Sequence, residues 1–177
     1  GLLDVDVVWR RETRVLAIDP TSRGFGFALL EGPEQLIDWG VKETKTAKNK
    51  RALKLIAELI EIYQPTVLVL EDYAGKGSRR CQRIQQLIDD ISNAAQKRNV
   101  KVKGFSRARV KQTFAASGAS TKYEIAISIA NRFPELVCRQ PRSRKTWMSE
   151  DYRMSIFDAV ALGIAFFHAD HKWKLAA

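Results

Sequence analysis

Hydrophobic and polar residues form two kinds of pattern along this chain, short apolar runs and longer segments with helical spacing. Residues 14–19, 24–30, 35–42, 66–71 and 100–105 are apolar runs bounded by turn residues, which is typical of β-strands. The first three runs are joined by short turns, including residues 31–34. This spacing predicts an antiparallel meander followed by two further strands.

Between and after these runs, apolar residues recur every three or four positions, as on one face of a helix. The first predicted helix is capped by Thr46 or Asn49 and ends at Tyr63. Four more cover residues 78–98, 106–115, 121–132 and 150–167, where Ser106 opens the helix to residue 115 and Thr121 caps the next one. The last is apolar over most of its surface, so a buried helix is expected. The order of elements predicts an α/β fold in which a mixed five-stranded sheet carries helices on both faces.

The length and pattern favour one domain over residues 14–168 of the 177. Residues 1–13 are expected to form a loose arm or an added strand, residues 138–149 a basic linker, and residues 169–177 a tail. No apolar run approaches the ~20 residues of a membrane span, so no membrane partner is expected. A cytoplasmic protein, bacterial or phage-encoded, is expected, with an organellar location left open.

Charge changes the picture, because Lys and Arg outnumber Asp and Glu by 30 to 20, for a formal net charge of +10. This excess favours a polyanionic partner, with nucleic acid the first candidate. Residues 96–111 hold seven basic side chains and no acidic one, although a solvated surface would also explain such a run. The residues expected to contact DNA lie there and beside the Gly-Ser loop at 75–78: Lys76, Arg79, Arg80, Arg107, Arg109 and Lys111.

Three acidic residues stand out by their positions at the ends of strands and inside an apolar helix. Asp19 and Glu71 each end an apolar strand, and Asp158 is the only acid between Met154 and Phe167. Each has a plainer explanation alone, such as a turn aspartate before Pro20 or a salt bridge from Asp158. Together they predict a site where hard carboxylate oxygens hold Mg²⁺ or Mn²⁺, two ions per active site, for phosphodiester hydrolysis.

The residues around these acids resemble the RuvC-type Holliday junction resolvases of the ribonuclease H-like fold. The matching segments are VLAIDPTSRGFGFALL, VLVLEDYA, RARVKQTFAASGASTKYEIA and FDAVALGIAFFH, in that order between Arg14 and His168. The resemblance implies a homodimer that cuts a four-way DNA junction with two symmetric nicks. It implies Asp19, Glu71 and Asp158 as catalytic metal ligands. Lys122 and Lys111 match basic positions near the cleaved strand, and Lys122 is the candidate for a catalytic role.

The chain departs from the family pattern at the fourth ligand. The family carries Asp or His one helical turn before Asp158, whereas Ser155 stands here, and a hydroxyl is a poor ligand for a hard metal ion. Asp151 is the other candidate ligand, but two turns separate it from Asp158, and complementing the helix N-terminus would also explain it. Tyr73 falls near the position of an aromatic residue that stacks on bases at the junction.

Two alternatives stay open at this point. One is a ribonuclease H-like nuclease that processes RNA, and the other is a junction-binding protein whose cleavage is impaired by Ser155. A branch-migration helicase is a further partner that the resemblance suggests and the residues do not test.

Overall fold

The structure is a computed structural model that describes residues 13–140 and 152–170. Several predictions fall outside these ranges: the arm over residues 1–12, the linker from residue 141 onward, Asp151 as a metal ligand, and the tail from residue 171. The domain boundaries therefore stay predictions.

Within the described residues, five strands form one mixed sheet, which confirms the predicted fold class. They are β1 (Val15–Thr21), β2 (Gly24–Gly32), β3 (Gln35–Glu43), β4 (Val67–Glu71) and β5 (Lys101–Phe105), in the spatial order β3-β2-β1-β4-β5. The meander β1–β2–β3 is antiparallel, whereas β4 and β5 run parallel to β1. The return of β4 to the side of β1 places two strand ends at one edge of the sheet.

Five α-helices and one 3₁₀ helix complete the described ranges. They are α1 (Lys48–Tyr63), α2 (Gln82–Lys97), α3 (Arg107–Ala115), α4 (Lys122–Arg132), the 3₁₀ helix Pro134–Arg139 and α5 (Met154–Ala169). The predicted caps of α3 and α4 are confirmed: Ser106 accepts a hydrogen bond from the Arg109 amide, and Thr121 forms a capping box with Glu124.

Three predicted helix starts are wrong. Helix α1 is preceded by Ala47 in a left-handed conformation, so neither Thr46 nor Asn49 caps it. Helix α2 begins at Gln82 rather than at residue 78, because residues 78–81 are drawn toward the sheet edge by Ser78 and Arg80. Helix α5 begins at Met154, after a turn at Tyr152 and Arg153.

The sheet is buried on both faces, as its apolar strands require. Val15 and Ala17 of β1 point into a core shared with α3, α4 and α5, while Leu16 and Ile18 point into a second core shared with α1 and α2. Helix α2 therefore buries its Ile and Leu face on its own sheet. Across the described ranges, no helix combines the length and apolarity that crossing a membrane requires.

Candidate active site

The register of β1 and β4 brings the first two acids together. Val15, Leu16 and Ala17 pair with Val67, Leu68 and Val69 in a parallel ladder. Continued for two residues, this register sets Asp19 level with Glu71, and both side chains leave the sheet on the face covered by α5. Both carboxylates therefore emerge at the same edge of the sheet.

Helix α5 supplies the third acid. Asp158 lies on its second turn and joins Asp19 and Glu71 in the lining of one cleft, opposite the rim residues Arg107 and Lys111 of helix α3. Lys122, the first residue of α4, also lines the cleft, with its Nζ 3.3 Å from Asp158 Oδ2. The structure therefore brings the four predicted catalytic residues to one cleft with a basic rim.

Close packing of α5 on β2 sets the position of Asp158. Gly26 is the antiparallel partner of Asp19 in the β1–β2 ladder. A Cβ atom built on Gly26 would lie only 2.4 Å from the backbone carbonyl of Ser155 and 2.6 Å from its hydroxyl oxygen. The absence of a side chain at position 26 is thus what lets the first turn of α5 lie against the strand beside Asp19.

Arg80 lies between the first two acids. Its Nη2 is 2.7 Å from Asp19 Oδ1 and its Nε is 3.1 Å from Glu71 Oε2, while Nη1 donates to the Pro20 carbonyl at 2.8 Å. Ser78 also donates a short hydrogen bond to Glu71. In the protein alone the Arg80 guanidinium is therefore held between the two acids, and its contact with DNA stays a prediction.

Burial and the arginine act in opposite directions on the two carboxyl groups. Burial raises the pKa of Asp19 above its ordinary value, although Arg80 and Lys122 act to lower it. Burial also acts to raise the pKa of Glu71, but its hydrogen bonds and charge interaction with Arg80, with the bond from Ser78, outweigh burial and lower it. The directions differ because Asp19 is the more deeply buried group, with 5% of its side chain exposed against 10% for Glu71.

The three acids line one cleft, but their carboxylates do not converge on a common position. In the part of the chain that the structure describes, no three acidic, histidine or cysteine side chains stand close enough to hold a metal ion together. The physical reason lies in the ion pairs, since Arg80 binds Asp19 and Glu71 while Lys122 binds Asp158. Cationic side chains stand among the carboxylates.

Ser155 does not line this cleft. It is buried against Gly26, and its hydroxyl donates to the Tyr152 carbonyl at 2.8 Å. The structure therefore gives Ser155 a role in packing the start of α5, and its part as a fourth metal ligand stays a prediction.

The remaining residues predicted to contact DNA do not share one surface. Lys76 and Arg79 are exposed in the loop before α2. The Arg109 guanidinium lies 5.0 Å from the centre of the Phe105 ring and lines a separate groove along β5. Tyr73 packs against α2, with its hydroxyl donating to Asp89 at 2.7 Å. Arg107 and Lys111 thus face the acids, whereas Arg109 and Tyr73 do not line their cleft.

Three residues contact this site in ways that the sequence pattern does not predict. Ser78 and Arg80 bind Glu71, and Gly26 admits α5. A glycine opposite an acidic residue in a predicted hairpin is a pattern that could have identified Gly26. Nothing in the local pattern distinguishes Arg80 from Arg79, because both follow the same Gly-Ser loop.

Comparison with known families gives one match that covers most of the chain. A profile described as Crossover junction endodeoxyribonuclease RuvC matches residues 15–136. Two similar curated proteins, each described as Crossover junction endodeoxyribonuclease RuvC, come from Hydrogenovibrio crunogenus and Prochlorococcus marinus. The first is 25% identical over 126 residues, spanning 67% of this chain and 73% of the relative. The second is 28% identical over 120 residues, spanning 63% and 76%.

Solved structures share the fold at low sequence identity. Thermus thermophilus RuvC superimposes with a TM-score of 0.65 and 17% identity, covering 88% of this chain and 95% of that one. The same protein in complex with a Holliday junction substrate gives a TM-score of 0.64 at 18% identity, covering 89% and 95%. The yeast mitochondrial Holliday junction resolvase Ydc2 gives 0.60 at 14% identity, covering 99% and 87%.

Proposed function

Because the chain belongs to the RuvC family of crossover junction endodeoxyribonucleases, we propose that it resolves four-way DNA junctions by metal-assisted hydrolysis of phosphodiester bonds. The observation that carries this proposal is the parallel register that sets Asp19 beside Glu71, with Asp158 facing the same cleft. The chain is a nuclease of this family, and the junction, the metal ions and the paired nicks are the proposed refinements.

The acids fit a divalent cation on two observations. Their oxygens are hard donors of the kind that Mg²⁺ and Mn²⁺ prefer. Asp19 and Glu71 already share one buried cation, the Arg80 guanidinium, so the site favours positive charge. Asp19, Glu71 and Asp158 are the proposed ligands, with one or two ions activating a water molecule and neutralising charge at phosphorus when bound.

The basic rim has a separate part in the reaction. Arg107, Lys111 and Lys122 lie on the same cleft as the acids and would bind the phosphates on either side of the cleaved bond. Lys122 is already beside Asp158, so its ammonium group is the one placed to stabilise the negative charge that develops on the phosphate.

Paired nicks require two such clefts related by two-fold symmetry. We therefore include a homodimer in the proposal, since a two-fold axis would present two sites to a junction of the same symmetry. Lys76, Arg79 and Tyr73 belong to the segment between β4 and α2 and are the proposed contacts to the centre of the junction. Tyr73 would have to leave Asp89 to stack on a base.

Cleavage of three labelled substrates tests the proposal. A four-way junction, a linear duplex and an RNA–DNA hybrid are each incubated with the protein and Mg²⁺ or Mn²⁺. Paired, symmetric nicks on the junction alone are the expected result. Cutting of the hybrid alone would point instead to an RNA-processing nuclease. Tight junction binding without product in either metal would point to a binding protein, with the proposed cleavage refuted.

A further inference from the structure

The Arg80 guanidinium occupies the space between two carboxylates that the fold places side by side. Its Nη2 lies within hydrogen-bond distance of both acids, 2.7 Å from Asp19 Oδ1 and 3.3 Å from Glu71 Oε1, and its Nε binds the second oxygen of Glu71 at 3.1 Å. One planar cation therefore bridges the pair, using the bidentate geometry that guanidinium groups favour.

Electrostatics explains why a cation is needed there. Asp19 and Glu71 are like charges with little exposure to water, and an uncompensated buried charge is strongly destabilising. Arg80 supplies the compensation in the protein alone, since a guanidinium keeps its proton at any ordinary pH.

A divalent ion would compete with Arg80 for these oxygens, because Arg80 already contacts Asp19 Oδ1 and both oxygens of Glu71. A divalent ion bound at ~2.0–2.6 Å takes the lone pairs that Arg80 now uses, and a guanidinium in contact with those oxygens would repel it. We propose that Arg80 is a resident counter-cation of the metal site, which a divalent ion must displace, and that the displaced guanidinium then binds a DNA phosphate. This inference rests on the metal site of the proposed function.

The segment that carries Arg80 permits such an exchange. Arg80 lies two residues before Gln82, the first residue of α2, so it is outside the helix. Its carbonyl accepts a hydrogen bond from the Gln85 side-chain amide at 2.9 Å, which anchors the backbone. The exchange then requires the side chain alone to give up its bonds to the two acids and the Pro20 carbonyl. Gly77 upstream has a φ of +83°, a conformation that glycine adopts easily.

The exchange would couple metal binding to DNA binding. A DNA phosphate that engages Arg80 removes the competitor from the carboxylates, and a metal ion that displaces Arg80 releases a guanidinium for DNA. By linkage, each ligand then raises the affinity for the other. The acidic site would be emptied of its own arginine mainly when substrate is present.

Calorimetric titration with Mn²⁺ of wild type, Arg80→Gln, Arg79→Gln and Asp19→Asn tests the exchange. Wild type should show binding that Asp19→Asn abolishes. Arg80→Gln should bind Mn²⁺ at least about tenfold more tightly, because no guanidinium competes with the ion for the two carboxylates. Arg79→Gln removes the same charge from the exposed neighbour and should match wild type, which separates local displacement from a general change in charge.

The outcomes separate this inference from the proposed function. If wild type shows Mn²⁺ binding that depends on Asp19, and Arg80→Gln binds equally or more weakly, the metal site stands and the exchange is refuted. If no variant shows Mn²⁺ binding that depends on Asp19, both the metal site and the exchange fail.

A second measurement uses the wild-type side chain itself, in case Arg80→Gln does not fold. In ¹⁵N spectra, the Nε–H signal of Arg80 is assigned by its absence in Arg80→Lys. Its chemical shift should change as Mg²⁺ is added, because the hydrogen bond to Glu71 is lost. The signal should not move in Asp19→Asn under the same titration. A signal that stays unchanged while Mg²⁺ saturates the wild-type site would overturn the exchange.

Discussion

At the scale of single residues, two carboxylates of like charge are buried side by side in the proposed active site. Asp19 and Glu71 are buried side by side and tolerated because Arg80 and Ser78 bind them. The cost of this arrangement appears in the raised pKa of Asp19, which burial keeps above its ordinary value despite the nearby arginine. Clusters of perturbed carboxyl groups in a cleft are typical of functional sites.

Substitution of Asp19 tests the centre of the proposed metal site. Asp19→Asn keeps the size of the side chain and removes its charge. Loss of a residue that only orients a metal ligand costs up to about a hundredfold, so loss of the ligand itself should lower junction cleavage by more than that. Junction affinity, measured by gel shift, should stay near that of wild type. Asp90→Asn, on α2 and outside the cleft, is the control and should cut normally. A wild-type cleavage rate in Asp19→Asn would refute the metal role.

The lowered pKa of Glu71 predicts a dependence of stability on pH. A carboxyl group with a folded-state pKa below its ordinary 4.5 stabilises the fold above pH 4.5, and this contribution is lost as pH falls through the folded-state value. The difference in unfolding free energy between wild type and Glu71→Gln should therefore be largest near neutral pH and shrink in acid. Urea denaturation from pH 7 to pH 3 measures it. A difference that stays constant or grows in acid would contradict the assigned shift.

At the scale of elements, one close contact decides where the third acid lies. Helix α5 approaches β2 at Gly26, and Ser155 lies against that glycine with its hydroxyl bonded to the preceding turn. Asp158 follows one helical turn later and so enters the cleft beside Asp19. Ser155, which the resemblance places at the position of a fourth ligand, packs against β2 in this structure.

A methyl group at position 26 should disturb this contact. Gly26→Ala places a carbon 2.4 Å from the Ser155 backbone carbonyl, so α5 must move, and overpacking of this kind costs about 1–3 kcal/mol. Cleavage should fall as well, because Asp158 moves with the helix. Gly32→Ala is a matched control on the same strand, where the nearest atom would lie at 3.8 Å.

Thermal and urea unfolding, with the junction assay beside them, distinguish the two glycine variants. We expect Gly32→Ala to remain close to wild type in both stability and cleavage. Equal stability of the two variants would show that the approach of α5 to β2 tolerates a side chain, contrary to the geometry.

At the scale of the whole molecule, acids and bases are arranged for a polyanion. The chain carries a net charge of +10, yet its most buried acids face a cleft rimmed by Arg107, Lys111 and Lys122. Under the proposed function, this basic rim would draw phosphates toward the site, and the acids would hold cations between the protein and the DNA backbone.

Salt dependence should reveal how many phosphates the rim neutralises. Junction affinity should fall steeply with salt, and Lys111→Gln should flatten the slope of log K against log salt by about 0.9, the value for one lost phosphate contact on duplex DNA. Lys97→Gln, at the far end of α2, should leave the slope unchanged. Fluorescence anisotropy over a range of salt concentrations provides the slopes. An unchanged slope in Lys111→Gln would remove that residue from the proposed interface.

The pattern of residues determined most of the fold of this protein. Apolar runs that end in Asp19 and Glu71 specified two strands with acids at their ends, and helical spacing located five helices to within a few residues. These features depend on local periodicity and on turn chemistry, which a sequence states directly. The caps at Ser106 and Thr121 were predictable for the same reason.

Only the tertiary structure decided which charges meet. Arg79 and Arg80 are indistinguishable in sequence, yet one is exposed and the other binds both acids. Residues 78–81 lie outside helix α2, and the Arg80 side chain is the one that reaches the sheet edge. Ser155 looked like a weakened ligand and proved to pack on Gly26, more than a hundred residues away in the chain. Such pairings depend on distances between remote segments, and local patterns carry no information about those distances.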